Sequence, residues 1–168
     1  MAMDNEWKLG LNRQIEIIGK RLIQRNWMLA TAESCTGGGV AYALTSMPGS
    51  SQWFDRGFVT YSNQSKTDML SVQNDVIQSC GAVSKEVVTA MTLGALQHSR
   101  AHVSLAISGI AGPDGGTLNK PVGTVWFAWA SVDVEPVTRC EQISGDRECI
   151  RNQAVSIALQ GIVDLLTS

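Results

Sequence analysis

The sequence predicts an α/β fold: a three-layer α/β/α domain around a mixed, mostly parallel five-stranded sheet. Three observations predict it. Helix-period and strand-type segments alternate along most of the chain. Residues 103–108, Val-Ser-Leu-Ala-Ile-Ser, make a short apolar run of the kind buried inside a parallel sheet. Two glycine-rich stretches, residues 37–39 and 109–116, each follow a strand-type run, where open α/β sheets bind ligands. No repeat, low-complexity stretch or linker interrupts the 168 residues, so residues 1–168 read as one domain.

Each element has its own signal. Leu9, Ile15, Ile18 and Leu22 recur at helical spacing over residues 6–25, and Asn26 is a stop. Residues 27–32 form the first strand. The helix after Gly38 ends near Met47, because Pro48-Gly-Ser-Ser51 breaks it. Residues 56–62 read as the second strand, with Asn63 capping the next helix. A short helical piece covers residues 75–79, and Ser84 caps a clearer helix over residues 85–99. The third strand is residues 103–108. Residues 124–131 and 137–143 form two more strands, close enough for an antiparallel hairpin. Trp126, Phe127 and Trp129 read as core and subunit-contact residues. Asp146 begins the last helix.

Composition excludes several classes. Net charge is −2 with no basic stripe, so a nucleic-acid partner has no electrostatic support. No apolar run reaches the roughly 18 residues a membrane span needs. The acidic start lacks the regions of a signal peptide, and a cytoplasmic protein is expected. Cys35, Cys80, Cys140 and Cys149 show no Cys-x-x-Cys spacing, hence neither a disulfide framework nor a zinc signature. His98 and His102 flank a helix-to-strand junction and read as solvated or structural residues rather than a metal pair.

Polar residues converge at the carboxyl ends of the first three strands. After the first come Ser34, Cys35, Thr36 and three glycines. A hydroxyl at such a turn can attack, and N–H groups there can hold an oxyanion; a plain capped turn is the alternative. After the second come Thr60, Tyr61, Ser62 and Asn63, then Lys66. After the third comes Ser108-Gly109, opening a loop that can cradle a phosphate or simply connect two strands. It lacks the Gly-Lys-Ser/Thr of a Walker loop. Arg147 either holds a phosphate or carbonyl or pairs with a surface carboxylate. Neither histidine is near these strand ends, so no Ser-His-Asp triad is predicted. A neutral lysine can serve as base instead. Lys66 is placed for that role, because the positive end of a helix and burial both disfavour its charged form. The alternatives are a surface lysine for Lys66 and a packing residue for Tyr61. Cys35 competes with Ser34 as nucleophile and otherwise fills core space.

The motifs carry a resemblance. Thr31-Ala-Glu-Ser-Cys-Thr-Gly-Gly38, Gly57-Phe-Val-Thr-Tyr-Ser-Asn63, Gly81-Ala-Val-Ser84, Ser108-Gly-Ile-Ala-Gly-Pro-Asp-Gly-Gly116, Lys120-Pro-Val-Gly-Thr-Val-Trp126 and Ser144-Gly-Asp-Arg147 resemble the CinA C-terminal domain family. Within it, the chain is similar to the stand-alone nicotinamide-nucleotide amidases. The resemblance runs nearly end to end. It implies hydrolysis of the carboxamide of nicotinamide mononucleotide to nicotinic acid mononucleotide and ammonia, in pyridine-nucleotide recycling. It implies Ser34 as nucleophile, Lys66 as base, Tyr61 assisting and Arg147 at the site. It also implies a homo-oligomer, at least a dimer, with no metal and no cofactor. Cys35, Thr36, Gly37, Gly38, Asn63, Ser108, Gly109 and Arg147 are the expected substrate-binding residues. Two other readings stay open: a non-catalytic nucleotide-binding module on the same fold, and a Ser-Lys amidase with a different substrate.

Overall fold

The computed structural model describes residues 2–167. Twelve elements follow one another: α1 (Ala2–Arg25), β1 (Leu29–Glu33), α2 (Gly39–Thr45), a 3₁₀ turn (Ser50–Gln52), β2 (Phe54–Val59), α3 (Asn63–Leu70), α4 (Asn74–Cys80), α5 (Lys85–Gln97), β3 (Val103–Gly109), β4 (Thr124–Ser131), β5 (Val134–Gln142) and α6 (Arg147–Thr167). The sheet order is β2-β1-β3-β4-β5. β1 runs parallel to both β2 and β3, while β4 and β5 return as an antiparallel pair. The three-layer mixed sheet expected from the sequence is therefore present, with β1 and β3 in its interior.

Strand alternation divides the core into two halves. Leu29, Val103, Leu105, Ile107 and Phe127 face one side, where Ile15, Ile18 and Leu22 of α1 and Ile150, Leu159 and Ile162 of α6 cover them. Ala30, Ala32, Ala106 and Ala128 face the other side, under Val87, Val88 and Met91 of α5. Those small residues let α5 lie close to the sheet. Gly94 brings α5 equally close to α3, since a Cβ there would sit 2.1 Å from the Leu70 carbonyl oxygen. Gly94→Ala is expected to destabilise the fold by about 1–3 kcal/mol through overpacking, a loss that urea unfolding would measure.

Several boundaries differ from expectation: α1 starts four residues earlier, and β1 covers residues 29–33 rather than 27–32. β2 begins two residues earlier and ends three residues earlier, and Ser62 rather than Asn63 caps α3, its Oγ accepting the Ser65 N–H at 3.0 Å. β5 begins at Val134 and passes through Pro136, which an edge strand tolerates because its missing N–H need not join a ladder. Trp126, Phe127 and Trp129 pack in the core of the chain itself. No helix among the described residues is long and apolar enough to cross a membrane.

Candidate active site

β1 ends in a buried turn. The Ser34 N–H still donates to Ile107 O at 3.0 Å, and Thr60 N–H donates to Glu33 O at 2.8 Å. Ser34 is thus held between the ends of β2 and β3, with 9% of its surface exposed. Its Oγ lies 3.2 Å from the Nζ of Lys66. Lys66 enters from the first turn of α3 and is 1% exposed. Its Nζ also donates to Thr60 O at 2.8 Å. Burial lowers the lysine's pKa, so the neutral amine is favoured more than in water. A neutral amine can donate one N–H to Thr60 O and turn its lone pair to the serine O–H.

Cys35 does not rival Ser34. Burial pushes its thiol up to about 12, and the neighbouring Glu33 acts in the same direction. The thiolate needed for attack is therefore scarce at neutral pH.

The turn after Ser34 departs from expectation. The Glu33 carboxyl, fully buried, gathers the donors of the α2 start: Thr36 Oγ1 at 2.7 Å, Gly38 N at 3.1 Å, Val40 N at 3.0 Å and Ala41 N at 2.8 Å. The Gly37 N–H donates to Ser34 O at 3.0 Å. Gly37 and Gly38 are therefore not free to bind substrate, and the Thr36 hydroxyl is engaged as well. None of the three lines the cavity at Ser34. The two glycines and the Thr36 side chain shape the turn, which leaves the Thr36 N–H unengaged. Among the described residues, no protein acceptor takes the N–H of Thr36, and the Cys35 N–H meets only its own sulfur.

That cavity holds about 290 Å³ and is lined by Ser34, Cys35, Tyr61, Asn63, Lys66, Ser108, Gly109 and Arg147, along with Asp114 and other residues of the glycine-rich loop. The volume sits at the lower end of small-molecule sites. A larger cavity of about 580 Å³ beside α1 contains neither Ser34 nor Lys66, which both line the smaller one. Ser108 Oγ donates to Ala82 O at 2.7 Å, leaving its lone pairs to the cavity. Asn63 brings an amide to the lining with no protein partner among the described residues.

Tyr61 stands apart from the lysine. Its hydroxyl receives the Arg147 guanidinium at 2.9 Å, and the same guanidinium donates to Gly112 O at 2.8 Å. No hydrogen bond joins Tyr61 to Lys66. Thr60 is fully buried, whereas Tyr61, two residues past the end of β2, is 60% exposed. Tyr61 and Arg147 together form the cavity's rim. Neither histidine belongs to the site: His98 Nε2 lies 2.8 Å from Ser71 Oγ, and His102 Nδ1 accepts the Met28 N–H. Among the described residues, no group of three or more His, Cys, Asp or Glu side chains is placed to hold a metal ion.

Two residues escaped the sequence reading. Glu33 lies inside the nucleophile motif, three residues before Thr36 and five before Gly38; that spacing was the available signal. Arg151 follows Arg147 by one helical turn. Its Nε and Nη2 donate to the carbonyls of Cys35 and Thr36 at 3.1 and 3.0 Å.

Comparison with known proteins accords with this geometry. Residues 12–166 match the CinA C-terminal domain. The Escherichia coli K12 protein named nicotinamide-nucleotide amidohydrolase PncC is 53% identical over 145 residues, which cover 86% of this chain and 88% of that protein. The Pseudomonas putida protein of the same name is 50% identical over 150 residues, covering 89% and 93%. The crystal structure of the competence damage-inducible protein A (ComA) from Klebsiella pneumoniae is similar at a TM-score of 0.89 and 36% identity, covering 94% of this chain and 97% of that one. In sequence and in fold, this chain belongs to the CinA C-terminal domain family.

Proposed function

We propose that the chain is an amidase that hydrolyses the carboxamide of nicotinamide mononucleotide, giving nicotinic acid mononucleotide and ammonia. The buried Ser34–Lys66 pair, 3.2 Å apart, carries the reading. Relatives about half identical and named nicotinamide-nucleotide amidohydrolases support the substrate.

The steps follow from the groups present. Neutral Lys66 takes the Ser34 proton as Oγ attacks the amide carbon. The oxyanion settles toward the N–H groups of Cys35 and Thr36, neither of which is held by an oxygen acceptor, each good donor being worth about 3–4 kcal/mol. Protonated Lys66 then gives its proton to the leaving nitrogen, and ammonia departs. Water, deprotonated by the same amine, cleaves the acyl ester and restores Ser34. Arg147 and the glycine-rich loop bind the nucleotide, with Tyr61 holding Arg147 in place. The chain acts as one amidase domain within a homo-oligomer.

Ammonia release from nicotinamide mononucleotide, without added metal, tests the proposal. Wild type is expected to release ammonia in step with nicotinic acid mononucleotide, and Ser34→Ala to fall to background. Release by both would move the nucleophile elsewhere. Release by neither would overturn the substrate and favour a binding module.

A further inference from the structure

We infer that Arg151 is a positioning residue for the transition state. It aims the backbone N–H groups that receive the oxyanion, without touching the substrate. The inference rests on Ser34 being the nucleophile.

The turn after Ser34 is a run of trans peptide units, and in each the C=O and the following N–H point in opposite directions. Fixing a carbonyl therefore fixes the next N–H. Ser34 O accepts the Gly37 N–H at 3.0 Å, which sets the direction of the Cys35 N–H. Cys35 O accepts the Nε of Arg151 at 3.1 Å, which sets the direction of the Thr36 N–H. Thr36 O accepts both Arg151 Nη2 at 3.0 Å and the Gly39 N–H at 3.1 Å. The peptide unit that carries the Thr36 N–H thus depends on Arg151 alone, while its neighbours have backbone partners. Two forked N–H donors on successive carbonyls also suit the planar guanidinium and not a point charge.

Position and charge agree with this role. Arg151 lines the cavity behind the turn, with Thr36 and Gly39, and is absent from the lining of the Ser34 cavity. Its charge reaches the turn all the same, because it favours the ionised form of the neighbouring Cys35 thiol. A positive charge behind the donors favours an oxyanion in front of them. Arg147, one helical turn earlier, does line the Ser34 cavity. The two arginines therefore divide the work: Arg147 holds substrate and Arg151 holds the turn.

Steady-state kinetics with nicotinamide mononucleotide separate the two. Arg151→Met is expected to lower kcat by about 10- to 100-fold, less than the full loss of an oxyanion donor, with KM within twofold of wild type. Arg147→Met is expected to raise KM. Arg151→Lys restores part of kcat, since an ammonium reaches one carbonyl but not both. The affinity of Ser34→Ala for nicotinamide mononucleotide stays within twofold when Arg151→Met is added. Should Arg151→Met fail to fold, Arg151→Lys decides by the same split of kcat from KM. An unchanged kcat, or a loss seen in KM instead, overturns the inference. Turnover that survives Ser34→Ala overturns the underlying mechanism, so the two failures are told apart.

Discussion

Replacing Lys66 by methionine is expected to lower kcat by about 10³- to 10⁴-fold, the full contribution of a general acid–base group. At neutral pH the same change is expected to make the protein more stable. Both effects have one origin. The lysine is 1% exposed, its Nζ has two oxygen neighbours, and burial lowers its pKa from 10.5. The unfolded chain therefore keeps a proton that the folded chain releases, over the interval between the lowered value and 10.5. Stability rises with pH across that interval and bears the full cost below it. Methionine removes the cost and keeps most of the volume. The melting temperature of Lys66→Met should exceed that of wild type at pH 7, and the gap should close as pH approaches 10. Activity should track the same group. The kcat/KM of wild type should rise with pH and level off below the ordinary lysine range, as the amine loses its proton. Lys66→Arg, always charged, should be inactive throughout. A Lys66→Met protein that is less stable at pH 7 and no slower would sink the assignment.

The sheet and the meeting of Ser34 with Lys66 were legible because their signals are local. An apolar strand ending at Ser34 and a lysine four residues after the Ser62 cap lie within single motifs, and parallel pairing of β1 with β2 brings those strand ends together. What stayed hidden was the use of each polar group. The glycine-rich turn suggested a row of free N–H donors. Glu33 takes Gly38, Val40 and Ala41 instead, because a buried helix start must have acceptors and a carboxyl is already in the chain beside it. Tyr61 looked like a partner for Lys66 by proximity in sequence. Tyr61 lies past the end of β2 and lines the same cavity, but its hydroxyl takes the Arg147 guanidinium rather than Lys66. Arg151 belongs to no motif and is not singled out by the sequence. Its partners are two backbone carbonyls more than a hundred positions away, and backbone groups leave no mark in sequence.

Glu33→Ala is expected to destabilise the fold by about 4 kcal/mol, near the upper end for a single substitution. The loss is not that of one interaction. Five donors, the Thr31 and Thr36 hydroxyls and the N–H groups of Gly38, Val40 and Ala41, share one carboxyl group that solvent does not reach. Each buried donor left without an acceptor costs about 1–3 kcal/mol, and part of the total returns as the turn relaxes and water enters beside half-exposed Gly38. Glu33→Gln should cost less. One carboxyl oxygen receives three of the five donors, and an amide oxygen placed there keeps them. The amide NH₂ then opposes the Ala41 N–H, donor against donor, where the other carboxyl oxygen accepts it. The order of stability should be wild type, then Gln, then Ala, read by urea unfolding at constant m-value. Activity should fall in the same order, because donors released from Glu33 lie within the turn that carries Ser34 and compete for its carbonyls. If both variants unfold within about 0.5 kcal/mol of wild type, as neutral surface changes do, the carboxyl is not the acceptor on which the α2 start depends.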